Sequence, residues 1–409
     1  MPLRKKLALI FSSALLLVSF IEASDNLQPK RLTQPVNLEG EPLRLPPSNV
    51  RFAPCLPFSG GAPNPRPATK GSYPLGTPDY RLTAASRGAY PPIVKILSYP
   101  NIKLHGFIFN ALVDEVGNLL LMFFKNGLYC VSHSSAYPLT RYGHGPGEIN
   151  SWRAMCFSAP FLIVVETTGR ILYFRRTGDI YNYDKTEWIR DLPSIFFKSV
   201  ERVGNKWFFA GFTYDHSITM QKKHPAGYFL SIFENGQFKK SLLYREFLDR
   251  RYYPHLIRVF IRKHGPYLYL LIETEPKIYV IDPERLEIIK IHELKMPDNY
   301  VRIGKEAFIK NKNRPVPQLF EDWELSYSRI ENFIINEDYF LLQFRNLSKD
   351  QKKFTLLLIN QNNFFLENIF YTDDAMLAEK DDLVYFLANG DPGLDEEADS
   401  LIINVYSLK

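Results

Sequence analysis

Residues 107–142 read FIFNALVDEVGNLLLMFFKNGLYCVSHSSAYPLTRY. Four short apolar runs, Phe107–Val113, Leu119–Phe124, Leu128–Ser132 and Tyr137–Tyr142, are broken by Glu115-Val116-Gly117-Asn118 and Lys125-Asn126-Gly127. Aliphatic and aromatic runs of this length suit a pleated, half-buried surface, and the Gly-containing breaks carry the chemistry of hairpin turns. The block therefore predicts one four-stranded antiparallel sheet. Downstream, similar blocks return about every 40 to 50 residues, a period that marks the blades of a propeller. A second unit spans Trp152 to about Trp188, with runs Phe161–Glu166 and Ile171–Arg175 and the turn Arg176-Thr177-Gly178-Asp179. The third, Phe196–Phe247, contains Trp207–Phe212, Tyr228–Phe233 and the hairpin turn Glu234-Asn235-Gly236-Gln237. The fourth, Leu256–Leu294, contains Tyr267–Glu273, Lys277–Ile281 and Ile288–His292. A basic insertion at about Lys295–Leu325 precedes the fifth, with Ile330–Ile335, Tyr339–Phe344, Phe354–Ile359 and Phe364–Phe370. The sixth offers only three runs, Met376–Glu379, Leu383–Ala388 and Leu401–Ser407, while Ile93–Tyr99 is left over ahead of the first unit. Pairing that orphan with the last unit closes the ring and removes the exposed sheet edge. The expected fold is thus all-β, a six-bladed β-propeller over residues 93–409 closed by a strand at about 93–99. A seven-bladed ring or an open sandwich leaves a strand unpaired.

Between the first and second units stands Arg141-Tyr142-Gly143-His144-Gly145-Pro146-Gly147-Glu148-Ile149, followed by Phe161–Glu166, Gly169-Arg170-Ile171-Leu172-Tyr173-Phe174 and Thr177-Gly178-Asp179. This order resembles the Gly-x-Gly-Pro-Gly-Glu/Gln-Phe turn and following strands of NHL-type propellers and of the related TolB-like propellers of exported bacterial proteins. The resemblance is specific over about forty residues and architectural elsewhere. It implies that Gly143, Gly145, Pro146, Gly147 and Glu148 form a structural turn from one blade's outer strand to the next blade's inner strand. There glycines permit positive φ and Glu148 accepts backbone N–H groups. A phosphate cradle fits less well, because no helix follows and Pro146 removes a donor.

The chain ahead of the repeats differs in kind. Arg4, Lys5 and Lys6 precede the uncharged, largely apolar run Leu7–Phe20, which reads as an export signal over residues 1–23, too short to span a bilayer. Residues 24–92 hold 14 of the 29 prolines and no apolar periodicity, and read as a disordered, proline-rich linker. The expected location is therefore periplasmic or extracellular, with no transmembrane helix in the mature chain. The net charge of +6 disappears from the repeats, since residues 93–409 carry 39 Lys and Arg against 39 Asp and Glu. Total charge gives no case for nucleic acid. Cys55, Cys130 and Cys156 are too few for a disulfide framework; a Cys130–Cys156 bridge is open, although their apolar surroundings favour buried thiols.

Evidence for catalysis is thin. The eight histidines are scattered singly, with no His-Glu-x-x-His, no Gly-x-Ser-x-Gly, no phosphate-binding loop and no Cys-x-x-Cys. No catalytic residue and no cofactor are assigned. Asp391, Asp395, Glu396, Glu397 and Asp399 crowd one loop at spacings calcium could use, although a solvated acidic loop is the simpler reading. Glu166, Tyr214 and Glu273 end second-strand runs in three successive units, which would set them near one mouth of a central channel as ligand-binding candidates. The expected function is an exported binding or scaffold protein that takes a protein, peptide or glycan through one face. The alternatives are a metal-dependent hydrolase or lyase with its site in the channel, and a structural component of the cell envelope.

Overall fold

The turn chemistry and apolar runs produce 24 strands in six antiparallel four-stranded sheets in a computed structural model. It describes residues 93–100, 102, 108–123, 127–132, 135–150, 153–178, 180–189, 192, 195–213, 227–245, 257–303, 326–348, 352–388 and 400–408. All of these lie in one compact unit, 76–409. The expected signal, the proline-rich segment, Tyr214 and the acidic residues Asp391, Asp395, Glu396, Glu397 and Asp399 lie outside the described residues.

Blade 1 is β2 (Ile108–Val113), β3 (Leu119–Phe123), β4 (Gly127–Val131) and β5 (Ala136–Thr140). Blade 2 is β6 (Arg153–Ser158), β7 (Phe161–Glu166), β8 (Arg170–Thr177) and β9 (Ile180–Trp188). Blade 3 is β10 (Ile195–Val203), β11 (Lys206–Thr213), β12 (Tyr228–Glu234) and β13 (Gln237–Tyr244). Blade 4 is β14 (Val259–His264), β15 (Tyr267–Ile272), β16 (Glu275–Asp282) and β17 (Glu287–Glu293). Blade 5 is β18 (Ile330–Ile335), β19 (Tyr339–Arg345), β20 (Phe354–Asn360) and β21 (Leu366–Thr372). Blade 6 is β22 (Ala375–Lys380), β23 (Leu383–Leu387) and β24 (Leu401–Ser407), with β1 (Ile93–Tyr99) outermost, in the order β1-β24-β23-β22. The orphan strand thus closes the ring as the sequence predicts, running antiparallel to β24 from Ile93 opposite Tyr406 to Tyr99 opposite Leu401.

Each blade buries both faces against its neighbours, which is why the second strands are continuous apolar runs with no polar alternation. All eight residues of β11 are buried, whereas the outermost β17 carries exposed Ile289 and Ile291. Between blades 3 and 4, Phe208, Phe212, Phe229, Leu270 and Tyr279 make one continuous apolar layer. Cys130 and Cys156 are buried free thiols.

The innermost strands β2, β6, β10, β14, β18 and β22 all run the same way and pack side by side around the channel. In four of them the pairing with the second strand slips by one residue near the start. The extra residues are Phe109, Lys198, Glu331 and Leu377, whereas β6 and β14 run unbroken. Such bulges bend a strand and re-aim side chains locally.

Candidate functional site at the channel mouth

The innermost strands begin at one end of the channel, and there they enclose a cavity of about 90 Å³. Its lining comes from five blades. Lys198, Glu331 and Leu377 enter from the bulges, while Arg258 enters just ahead of the regular β14 and Phe260 and Arg262 from alternate positions within it. Asn110 and Asn332 complete the polar part, and Ile108 and Met376 the apolar part. Asn332 donates to the carbonyls of Met376 (2.9 Å) and Leu377 (3.0 Å), and Asn110 donates to that of Lys198 (3.5 Å), so both amides tie blades together across the ring.

Glu331 is the electrostatic centre. Its side chain is 3% exposed and accepts from Arg345 Nε at 2.8 Å and Arg329 Nε at 3.1 Å, with Arg258 on its other oxygen. Burial by itself would raise this carboxyl, but Arg258, Arg329 and Arg345 outweigh it and hold the group well below the usual carboxylate range. One carboxylate therefore serves three guanidiniums. Deeper in the channel, Arg262 donates to Ser199 Oγ and to the Ile261 carbonyl, both at 2.9 Å. Burial lowers its affinity for the proton while Glu201 restores part of it through space, and Glu201 is itself pushed up to about 7 by burial, with Arg262 and Lys263 opposing.

The sequence candidates Glu166 and Glu273 take a different place. Both are fully buried and occupy equivalent positions at the end of the second strand. Glu166 accepts the Asn150 backbone N–H at 2.8 Å, and Glu273 accepts that of Arg258 at 3.0 Å, in each case just ahead of the inner strand of the same blade. Arg170 lies 3.9 Å from Glu166, and the Tyr327 hydroxyl donates to Glu273 at 2.8 Å. Burial pushes Glu273 up, opposed by Arg329, Arg258 and Lys198. Glu273 thus reaches the cavity through Arg258, while Glu166 braces the entry into β6. The lining cations Lys198, Arg258 and Arg262 are not among the sequence candidates: at Lys198 a bulge breaks the period-two pattern from which channel-facing positions are read, while Arg258 and Arg262 belong to the entry and body of an unbroken inner strand and not to the second-strand ends that supplied the candidates.

In the glycine turn, Glu148 accepts the Gly145 N–H and Arg141 Nε, both at 2.8 Å, and these bonds lower its affinity for the proton. Arg170 donates to the Gly145 carbonyl at 2.9 Å and ties the turn to β8. Only Gly147 of the three glycines has positive φ, +75°. Gly143 and Gly145 serve a different need, because a Cβ on them would lie 2.2 Å and 2.9 Å from Glu148 Oε2. They make room for the carboxylate that closes the turn. Among the described residues no three His, Cys, Asp or Glu side chains gather as metal ligands.

No family model matches the chain, and no curated protein is similar to it in sequence. Solved structures do share its shape. A Bacteroides fragilis protein classed as exported superposes with TM-score 0.50 at 12% identity, over 79% of this chain and 98% of its own. Looser matches include BamB from Moraxella catarrhalis, with TM-score 0.38 at 10% identity over 74% of this chain and 86% of that one. Another is the extracellular domain of a one-component system from B. thetaiotaomicron, with TM-score 0.37 at 10% identity over 71% of this chain and 32% of that one. At such identities the likeness is one of fold, and the chain is a six-bladed β-propeller.

Proposed function

We propose that the chain is an exported binding or scaffold propeller of the NHL/TolB-like kind, which engages a protein, peptide or glycan through the face that carries the channel mouth. The observation that supports this is the inequality of the two faces. At the far end the strands are joined by tight hairpins such as 204–205, 235–236, 265–266 and 381–382. The longest connections, 214–227, 245–258, 294–329 and 388–400, all leave and return at the mouth. Binding residues concentrate on loops held by a rigid scaffold, and a ring of blades delivers loops from several directions to one surface. The basic and apolar segment Arg4–Phe20 supports export, and residues 24–92 would then act as a spacer. Among the described residues no helix is long and apolar enough to cross a membrane.

A photo-crosslinking amino acid tests the face directly in the organism that makes the protein. It is placed at Tyr142 on the mouth rim or at Val116 on the opposite hairpin, both half-exposed. Adducts are expected from position 142 and not from 116. Adducts from 116 alone, or equal yields from both, would contradict the proposal.

A further inference from the structure

We infer that the rim of the mouth between blades 1 and 2 binds a neutral glycan chain, whose sugar rings stack on Tyr142 and Trp188. This rests on the mouth being the binding face and names the class of ligand it takes. The first support is the pair of aromatic rings. Trp188 is 58% exposed and Tyr142 54%, whereas Tyr173, Phe174, Trp207 and Phe209 in the same two neighbouring blades are buried. Among the described residues the Trp188 indole has no ring, cation or hydrogen-bond partner. Both rings are held by the scaffold on one stretch of surface. The Tyr142 hydroxyl donates to the Asn150 carbonyl at 2.6 Å across the glycine turn, which leaves the faces of the ring to meet a ligand. Trp188 stands opposite Arg170 in the β8–β9 ladder, and directly opposed residues share a face of a sheet. Arg170 itself donates to the Gly145 carbonyl, so the indole lies on the side of blade 2 that looks onto the turn.

The second support is charge. Arg141 is paired with Glu148 at 2.8 Å, and Arg170 lies 3.9 Å from Glu166, so the charged groups of this stretch compensate one another and leave nothing for an ionic ligand. A neutral polyhydroxyl chain suits such a surface. The C–H bonds on the face of a sugar ring are slightly positive and meet the negative face of an aromatic ring, while the hydroxyls at the ring's edge need polar partners. The turn supplies these as the third support. His144 is exposed, and its Nδ1 lies 2.8 Å from Asn150 Nδ2; with Nδ1 accepting, the neutral imidazole carries its proton on Nε2, a donor. Oδ1 of the same Asn150 amide is shut from water without a hydrogen-bond partner, a cost that rotation of the amide toward a sugar hydroxyl would remove. A peptide partner would call for a continuous apolar groove, whereas the turn that links the two rings is polar.

The test is calorimetric titration of the full-length protein with the β-1,4-linked hexasaccharides of glucose, N-acetylglucosamine and mannose, with the corresponding monosaccharides, and with the hexamer of galacturonic acid as a charged counterpart. At least one neutral hexasaccharide is expected to bind more tightly than its monosaccharide, because two rings are engaged, and more tightly than the charged hexamer. Its binding should shift tryptophan emission to the blue, and Trp188→Phe should abolish the shift. Trp188→Ala and Tyr142→Ala should each weaken the preferred hexasaccharide by at least about tenfold. Tyr244→Ala removes an equally exposed rim aromatic on blade 3 and should leave the affinity unchanged. The thermal midpoint of each variant confirms that it is folded. No binding of any neutral hexasaccharide, tighter binding of the charged hexamer, unchanged affinity in folded W188A, or an equal loss in Y244A would each overturn the inference. Protein adducts from crosslinking at position 142, with no saccharide bound, would keep the mouth as the binding face and sink the glycan reading alone.

Discussion

Replacing Glu331 by Gln keeps the shape of the side chain and removes the carboxylate that Arg258, Arg329 and Arg345 share. The bonds at stake are those to Arg345 Nε at 2.8 Å, Arg329 Nε at 3.1 Å and Arg258. Removing one partner of a buried ion pair costs about 3–5 kcal/mol, because the remaining charges stay desolvated and repel one another. Unfolding entropy of roughly 2.1 cal/mol/K per residue, applied to residues 93–409, converts this into a fall in the melting midpoint of about 4 to 8 °C. Differential scanning calorimetry of the wild type and E331Q measures it. Glu148→Gln serves as the control, since its partner Arg141 is 84% exposed and the turn can still accept the Gly145 N–H, so its midpoint should stay close to that of the wild type. A midpoint in E331Q equal to or above the wild-type value would refute the reasoning, showing that the three guanidiniums are solvated well enough to do without their anion.

Two further outcomes follow from the same physics. Burial raises Glu201 and Glu379 to about 7, the latter with Asp382 and Asp381 adding to the effect, so the folded chain keeps protons that the unfolded chain releases near the ordinary glutamate value. Their contribution to stability is complete below about pH 4.5 and is lost as pH rises toward 7, so the melting midpoint of Glu379→Gln should fall less across this range than that of the wild type; parallel curves would contradict it. In the glycine turn, Gly143→Ala places a methyl 2.2 Å from the Glu148 carboxylate, so it should destabilise and be partly rescued by Glu148→Ala. Gly147→Ala meets positive φ and the Tyr183 ring at 3.1 Å, so E148A should not rescue it, and thermal melts of the four variants decide the point.

The architecture was legible because the signals that carry it are local. Asn235 and Gly236 both adopt positive φ in the turn where Glu234-Asn235-Gly236-Gln237 predicts it, and the count of apolar runs left Ile93–Tyr99 and Leu401–Ser407 as natural partners. The glycine turn was legible in its position and in Glu148 as acceptor, but not in the reason for two of its glycines, since the room Glu148 needs is a fact of three dimensions. The channel lining was hidden for a stricter reason. Lys198 and Glu331 lie beside strand residues that alternate normally, and only the register against the second strand shows that each is the extra residue. Glu166 and Glu273 illustrate the converse: position at a strand end put them near the mouth, but burial commits them to backbone N–H groups of their own blades.

The way the ring is fastened governs how it opens under load. Ile93 pairs with Tyr406, so the chain enters β1 and leaves β24 at the same corner of blade 6. Tension applied between the preceding segment and the C-terminus therefore does not drag the two strands past each other with all their hydrogen bonds sharing the strain. It acts across the ladder and peels it open pair by pair from Ile93 toward Tyr99, like a zip. A tether on the N-terminal side would make this propeller a mechanically soft clasp, and one attached through a hairpin on the far face would leave the clasp unloaded.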